Sequence, residues 1–152
     1  MDEIKQIIGL NENRLKHCRA VAEKAYKLAS ELTDWDEEKC SEMYVLGFLH
    51  DVGYAFAVNQ EDHERIGGEI LGISGYKYWK EVYWHGRVTD QHSSRELDIL
   101  NLADLLTNFD GEPVSISERL KSIGERYGFA STQSSNAKRL ADSLATYGRQ
   151  EA

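Results

Sequence analysis

Apolar residues recur every three or four positions along most of the chain, which is the spacing of an amphipathic helix. In the segment 13–32 this stripe consists of Leu15, Cys18, Ala22, Ala25, Ala29 and Leu32. No run of alternating β-branched residues is long enough to indicate a strand, and the chain has a single proline, Pro113. The pattern therefore predicts an all-α fold, a compact helical bundle.

Further helices are expected wherever helical spacing coincides with capping residues or chain-reversal signals. One of them is capped by Asp34 or Asp36, runs to about residue 50 and contains MYVLGFL, which is apolar on every side and belongs at the centre of a bundle. The Ser-, Gln- and Asn-rich stretch 131–136 is expected to be a linker between two helices. The remaining predicted helices span 61–73, 76–85, 93–109, 115–127 and 136–147.

The length and net charge of the chain limit the classes of function that it can have. The chain has 152 residues, enough for one domain, and its 18 basic and 26 acidic residues give a net charge of −8. We therefore expect neither nucleic-acid binding nor attachment to an anionic membrane surface. The N-terminus lacks a signal-peptide pattern and no apolar run approaches the roughly 20 residues that span a bilayer, so we expect a cytoplasmic protein. Cys18 and Cys40 lack CxxC spacing and are expected to be buried or partly buried thiols.

Several His and Asp residues fall on helix faces that should be buried. His50 follows Met43 and Gly47, and His63 precedes three isoleucines at helical spacing. His85 follows Tyr78 and Val82, Asp104 follows Leu97 and Leu100, and His17 lies at the edge of its stripe. Together with Asp51, these residues are nitrogen and oxygen ligands suited to first-row divalent metals. Their spread over five helices indicates a site in the bundle core.

Each of these residues taken alone also has an ordinary structural interpretation. A single His on an apolar face is usually a hydrogen-bonded core histidine, and Asp104 could pair with an arginine or cap a helix. His92, in the polar stretch TDQHSS, is expected to be a loop residue. The joint occurrence of six such residues in one small chain favours a metal site.

These residues, in the order H…HD…H…H…D, resemble the HD-domain superfamily of metal-dependent phosphohydrolases, which have an all-α fold. The matching segments are NRLKHCRAVAEKAYKLA, LGFLHDVGYAF, DHERIGGEILG, VYWHG and LDILNLADLLTNF. The resemblance is strongest over 14–109. Residues 110–152 are expected to add C-terminal helices to a single domain spanning 1–152.

The resemblance implies a binuclear metal centre. It implies that His17, His50, Asp51 and Asp104 hold one metal, and that His63 and His85 hold a second, which Asp51 bridges to the first. One or two divalent ions are expected, and Fe, Mn, Zn, Mg, Co and Ni all remain open because the ligands do not select among them. Such cations would activate water and neutralise charge on a phosphoryl group.

This sequence departs from the family pattern at one position. Many HD phosphohydrolases have a Lys three residues after the HD pair, where this chain has Tyr54. A contact to substrate phosphate is then missing or is supplied by Arg14, Arg65 or Arg87, each of which could instead be a solvated surface residue. With Asp51, Arg14 and Arg87 are the residues expected to act in catalysis. The interval from 51 to 63 is short, which predicts an open pocket or a lid built from the C-terminal helices.

The leading functional hypothesis is a metal-dependent phosphohydrolase acting on a small phosphorylated metabolite or nucleotide. One alternative is a di-iron oxygenase with the same six ligands, and another is a non-catalytic signalling or binding module of the same fold. The aromatic residues in 76–84 could form core, a base-stacking pocket or a dimer face, so a homodimer is a further expectation.

Overall fold

Helices account for nearly all regular structure in the protein. The computed structural model describes residues 12–56 and 62–145. Within those ranges there is no β-strand, and the sole β-type contact is an isolated bridge between Thr107 and Pro113. A short 3₁₀ helix spans Val52–Ala55. The α-helices are α1 (Glu12–Leu32), α2 (Glu37–Leu49), α3 (His63–Ile73), α4 (Trp79–Trp84), α5 (Arg95–Leu105), α6 (Ile116–Tyr127) and α7 (Thr132–Ser143). The predicted all-α fold is confirmed.

The centre of the molecule is the pair α1 and α2, which pack along each other with α5 laid against both. Helix α3 pairs with α4, and α6 pairs with α7. Gly47 allows the close contact of α1 with α2, since a Cβ at this position would lie 2.7 Å from Cα of Ala22. The largest fully buried aliphatic side chains of this core are Leu28, Met43, Leu46, Ile99, Leu100 and Leu102.

Side-chain caps define where several helices begin. Of the two candidate caps for α2, Asp36 is the one used, and its Oδ1 accepts a hydrogen bond from Lys39 N at 2.9 Å. Ser94 caps α5 by accepting from Leu97 N. Ser115 and Glu118 form a reciprocal capping box at the start of α6. These bonds satisfy backbone N–H groups that have no partner within the helix.

Several expectations about helix boundaries were wrong, and the helix predicted over 93–109 ends at Leu105. The stretch 131–136 is not a linker, because Ser131 caps α7 and the helix begins at Thr132. The Ser131 side chain accepts from Ser134 N, and this cap outweighs the low helix propensity of the Ser and Asn residues that follow. The predicted helix over 76–85 is confined to Trp79–Trp84. The last helix ends at Ser143, whereas its expected end, at 147, lies outside the described residues.

The two cysteines and the aromatic segment fit into the core as ordinary packing residues. Cys18 and Cys40 are both buried free thiols, as expected. Tyr78 is part of the main core, with Tyr76 packed against it. Among the described residues, no helix combines the length and the apolar character needed to cross a membrane.

Candidate metal centre

The carboxylate of Asp51 lies between two pairs of histidines. Asp51 stands between α2 and the 3₁₀ helix. Its Oδ2 is 3.2 Å from His50 Nε2 and 3.7 Å from His17 Nε2. Its Oδ1 is 3.2 Å from His63 Nε2 and 3.5 Å from His85 Nε2. The two oxygens of one side chain therefore face two different groups of imidazole nitrogens.

A second carboxylate, Asp104 on α5, joins the first of these groups. Its Oδ1 lies 2.9 Å from His17 Nε2 and 3.6 Å from His50 Nε2. In each of the sets His17–His50–Asp51 and Asp51–His63–His85, the potential ligand atoms all lie within 4.8 Å of one another. The structure thus brings together all six residues that the sequence analysis singled out as ligands, in two adjoining groups that share Asp51.

The other ring nitrogen of each histidine, Nδ1, is held by a neighbouring acceptor. The contacts are His17 to Asn108 O (2.8 Å), His50 to Gly47 O (2.6 Å), His85 to Val82 O (2.6 Å) and His63 to Glu64 Oε1 (2.7 Å). Because a carbonyl oxygen only accepts, Nδ1 carries the proton in three of these rings. Their Nε2 atoms then face the carboxylates and offer a lone pair to a cation once their proton is released, which is how metal-binding histidines are oriented.

The side chain of His50 tests whether this cluster fits a metal. It is fully buried, and its Nε2 forms no well-aligned hydrogen bond among the described residues, although Asp51 Oδ2 lies 3.2 Å away. A buried polar atom without a partner is costly to desolvate. A divalent cation between His50, Asp51 and Asp104 would use that lone pair, and the set of imidazole and carboxylate donors suits such a cation.

The family model of the HD domain matches residues 14–145 of this sequence. The chain belongs to the HD domain family. No match was found among curated proteins or among solved structures. The matched range extends through α6 and α7, so the C-terminal helices are matched together with the segments that carry the six His and Asp residues.

A close approach of two backbone segments places the second histidine pair of the HD domain. A Cβ on Gly53 would lie 1.7 Å from the carbonyl oxygen of His63, so only glycine allows α3 to begin so near Asp51. The His63 ring then stacks on the ring of Tyr54, with centroids 3.9 Å apart and planes 11° from parallel. Tyr54, at the position where many HD phosphohydrolases have lysine, thus supports a histidine of the cluster.

The electrostatics of the cluster are dominated by charge pairing. Burial alone would raise the pKa of Asp51, but the surrounding imidazoles of His50, His63 and His85 hold it well below its usual range. Burial alone would lower the pKa of His63, but Asp51 and Glu64 raise it to about 10. In the metal-free protein, protons are therefore bound where a cation would sit, and metal binding must release them.

A cavity of about 950 Å³ opens onto these residues, and four arginines line it. Two of them, Arg14 and Arg87, were expected to face a phosphate. Arg65 does not line the cavity; it forms ion pairs with Glu69 and Asp62 on the exposed side of α3. The C-terminal helices α6 and α7 contribute much of the remaining wall.

Sequence reasoning missed Glu64 and Arg119. Arg119 lies on α6 in register with Ile116 and Ile123, so a charged residue on an apolar stripe was a detectable signal, like that of Asp104. Its Nη2 is 3.7 Å from Asp104 Oδ1. Glu64 gives no comparable signal, because its contact with His63 depends on side-chain conformation alone.

Proposed function

We propose that this HD domain is a metal-dependent phosphohydrolase that cleaves a phosphoester or phosphoanhydride of a small metabolite or nucleotide. One observation carries the proposal: Asp51 shares its two oxygens between two histidine pairs, next to an arginine-lined cavity. That arrangement matches a site for two cations joined by one carboxylate. The residues that would hold them are His17, His50, Asp51 and Asp104 on one side, and Asp51, His63 and His85 on the other.

When bound, a pair of divalent cations would lower the pKa of a water molecule and neutralise charge on a phosphoryl group. The protein contributes orientation. The Nδ1 contacts hold the imidazole rings in place, so the ligand nitrogens need little rearrangement when a cation binds. Because Asp51 and Asp104 carry only two negative charges between them, two divalent cations would leave the centre net positive. Such a centre attracts a phosphate dianion in spite of the overall charge of −8.

Arg14 would orient the phosphate from the side of the second histidine pair. Its guanidinium carbon lies 3.5 Å from the centre of the Tyr54 ring, which in turn stacks on His63. Tyr54 in place of lysine therefore removes one positively charged side chain from the site, but it supports another, Arg14, through a cation–π contact. The three side chains form one stack at the edge of the cavity.

Arg87 would act from the segment that follows α4 in the same cavity wall, two residues beyond His85. Its Nε is buried without a hydrogen-bond partner among the described residues, and its guanidinium lies 5.2 Å from the Trp84 ring centre. An anion in the cavity would satisfy that donor. Together, Arg14 and Arg87 would hold the phosphoryl group in line for attack, which is the main task of a protein in phosphoryl transfer.

The test is a hydrolysis screen of the purified protein after loading in turn with Mn, Fe(II), Co, Ni, Zn and Mg. The substrates are phosphomonoesters, nucleoside mono-, di- and triphosphates, and dinucleoside polyphosphates. Phosphate release that requires metal and is lost in Asp51→Asn supports the proposal. The control is Asp142→Asn, which removes an exposed carboxylate of α7. Absence of hydrolysis with every metal at full occupancy, with oxygen consumption in the iron form, would overturn it in favour of an oxygenase.

A further inference from the structure

Two arginines of α6 lie over the same aromatic ring. The guanidinium carbons of Arg119 and Arg126 are 4.3 Å and 4.1 Å from the ring centre of Phe109. The two residues are seven positions apart, so they share one face of the helix, with Ile123 between them. All four residues line the cavity that contains the candidate metal centre.

Arg119 places unused hydrogen-bond donors beside that centre. Its side chain is only 7% exposed, and its Nη2 lies 3.7 Å from Asp104 Oδ1. Its Nε and Nη1 are buried and have no hydrogen-bond partner among the described residues. Leaving such donors without an acceptor is unfavourable, and a phosphoryl oxygen held next to Asp104 would satisfy them.

Arg126 adds a second cation farther from the centre. It is exposed, and within the described parts of the chain it forms no ion pair with a carboxylate. Its guanidinium is held by Phe109 and by Tyr127, whose ring centre is 5.7 Å away. Two like charges held near one ring repel each other, and an anion close to both would offset that repulsion. Asp104 is near Arg119, so of these two cations Arg126 is the one without a counter-charge among the described residues.

The rest of the cavity also presents arginine side chains rather than lysines. Apart from the histidines of the candidate metal centre, the basic side chains that line it are four arginines, and no lysine of the described residues lines it. The planar guanidinium pairs with two phosphate oxygens at once, whereas an ammonium acts as a point charge. A volume of about 950 Å³ also exceeds what a single phosphate needs, and lies at the upper end of typical pockets for small molecules.

We propose that Arg119 and Arg126 form a clamp for two consecutive phosphoryl groups, with Arg119 at the group to be cleaved and Arg126 at the next one. The substrate class is then a diphosphate or a longer phosphoanhydride rather than a monoester. This assignment rests on the proposed phosphohydrolase function, and it makes Arg126 a residue that determines specificity. Phe109 holds the two guanidinium groups in position.

The test is calorimetric binding of imidodiphosphate, a non-hydrolysable diphosphate, and of inorganic phosphate to the metal-loaded protein. Wild type should bind imidodiphosphate at least about tenfold more tightly than phosphate, the usual effect of one added charge-assisted pair. Arg126→Gln should remove most of that preference and change phosphate affinity less than about twofold. Arg119→Gln should weaken both by about tenfold or more, and Arg119→Lys should restore part of the loss. Arg139→Gln, on the exposed side of α7, is the matched control.

Metal content and circular dichroism establish whether each variant is folded. Because Arg126 is exposed, Arg126→Gln should fold normally, and it therefore tests the clamp even if Arg119→Gln misfolds. An unchanged preference in Arg126→Gln, or an equal loss in Arg139→Gln, would overturn the clamp. Hydrolysis of monoesters with an unchanged preference would overturn the clamp and leave the phosphohydrolase proposal standing. A lost preference in a protein that hydrolyses nothing would support the clamp as an anion site and overturn the hydrolase.

Discussion

Asp51 is in contact with all four histidines of the cluster, although aspartate is the shorter of the two acidic side chains. Its position at the end of α2, directly after His50, places the carboxylate where α1, α3 and α4 also present their histidines. A carboxylate that held a cation on each oxygen would screen the two from each other, so the binding of both would depend on its charge. The amide of asparagine has the same volume and retains hydrogen bonding, but it lacks that charge.

For this reason Asp51→Asn should lose both metals and nearly all hydrolysis. We expect metal affinity and activity to fall by at least about 100-fold, since a direct ligand matters at least as much as its supporting contacts. Elemental analysis and initial rates measure the two effects, with Asp142→Asn as the control. A variant that keeps full metal content and wild-type rates would show that Asp51 does not bridge.

The histidine pairs should separate the two metals. His85→Gln removes a ligand near Asp51 Oδ1 only, so we expect it to lose about one metal equivalent and retain the other. His17→Gln removes a contact of both Asp104 and Asp51 Oδ2, and should release the metal on that side. Elemental analysis of the two variants and of the double variant checks this. Loss of both metals in His85→Gln would contradict two separable sites.

For single residues, the sequence predicts most of the candidate metal site. His50, His85 and Asp104 were detectable because a polar residue on an apolar helical stripe needs a partner. Arg119 obeys the same rule and was overlooked because it follows the segments on which the resemblance was recognised. The contact of Glu64 with His63 could not be predicted, since it joins neighbouring residues through a choice of rotamer.

Among the elements, α1 and α2 pack against each other with little spare room. A methyl group at Gly47 would meet backbone atoms of Ala22 and Val21, and these belong to a helix that cannot move alone. The two helices carry His17 and His50, whose ring centres are 5.4 Å apart. The spacing of this helix pair therefore also sets the spacing of the first ligand group.

Gly47→Ala should destabilise the protein, although alanine is the better helix former. The gain in helix propensity is about 1 kcal/mol, whereas forcing the helices apart costs about 1–3 kcal/mol and removes contacts along the interface. We expect a net loss of about 1–2 kcal/mol in urea unfolding. Ser41→Ala, at an exposed position of the same helix, is the control and should not destabilise. A more stable Gly47→Ala would contradict the close contact.

Periodicity predicted which segments are helical, but not always where helices begin. Helix α7 starts at Thr132 because Ser131 caps it, and a Ser- and Asn-rich sequence is compatible with either a cap or a loop. Helix α4 starts later than expected, since the aromatic residues before it fold into turns over the core. Helix propensity alone does not fix either boundary. A single cap decides where α7 begins, and packing over the core decides where α4 begins.

For the whole molecule, the fold class follows from sequence and the cavity does not. Helical spacing with no strand signal is sufficient for an all-α prediction. Which helices become neighbours depends on interfaces such as Gly47 against Ala22, which no local pattern specifies. The expectation that C-terminal helices approach the site came from the short interval between 51 and 63. Their arginines could be placed there only once α6 was seen against Phe109.

A second polar network, about 16 Å from His50 along α2, ties the other end of the bundle together. Lys39 Nζ donates to Tyr78 OH at 2.8 Å and to Glu96 Oε2 at 2.9 Å. Burial alone would raise the pKa of Glu96, but Lys39 lowers it below its usual value. A carboxyl with a lowered folded pKa adds stability above its unfolded pKa, about 4.3, and this is lost as pH falls through the folded pKa.

The free energy of unfolding should therefore decrease below about pH 4.5, and less steeply in Glu96→Gln than in wild type. Glutamine still accepts from Lys39 but does not titrate. The difference should be below about 1 kcal/mol because the pair is partly exposed. Urea unfolding between about pH 3 and 7 measures it. Glu38→Gln, an exposed carboxylate of α2, should keep the wild-type slope, and equal slopes in all three proteins would exclude a contribution from Glu96.

The contact between His17 and Asp104 joins positions 87 residues apart. A cation held by both would cross-link the folded chain across this interval, and because it binds the folded and not the unfolded state, its binding free energy would add to the stability of the fold. It would also prevent α1 and α5 from opening independently of each other. Amide hydrogens in these two helices should then exchange with solvent only through global unfolding when metal is present, and through smaller local openings after chelation.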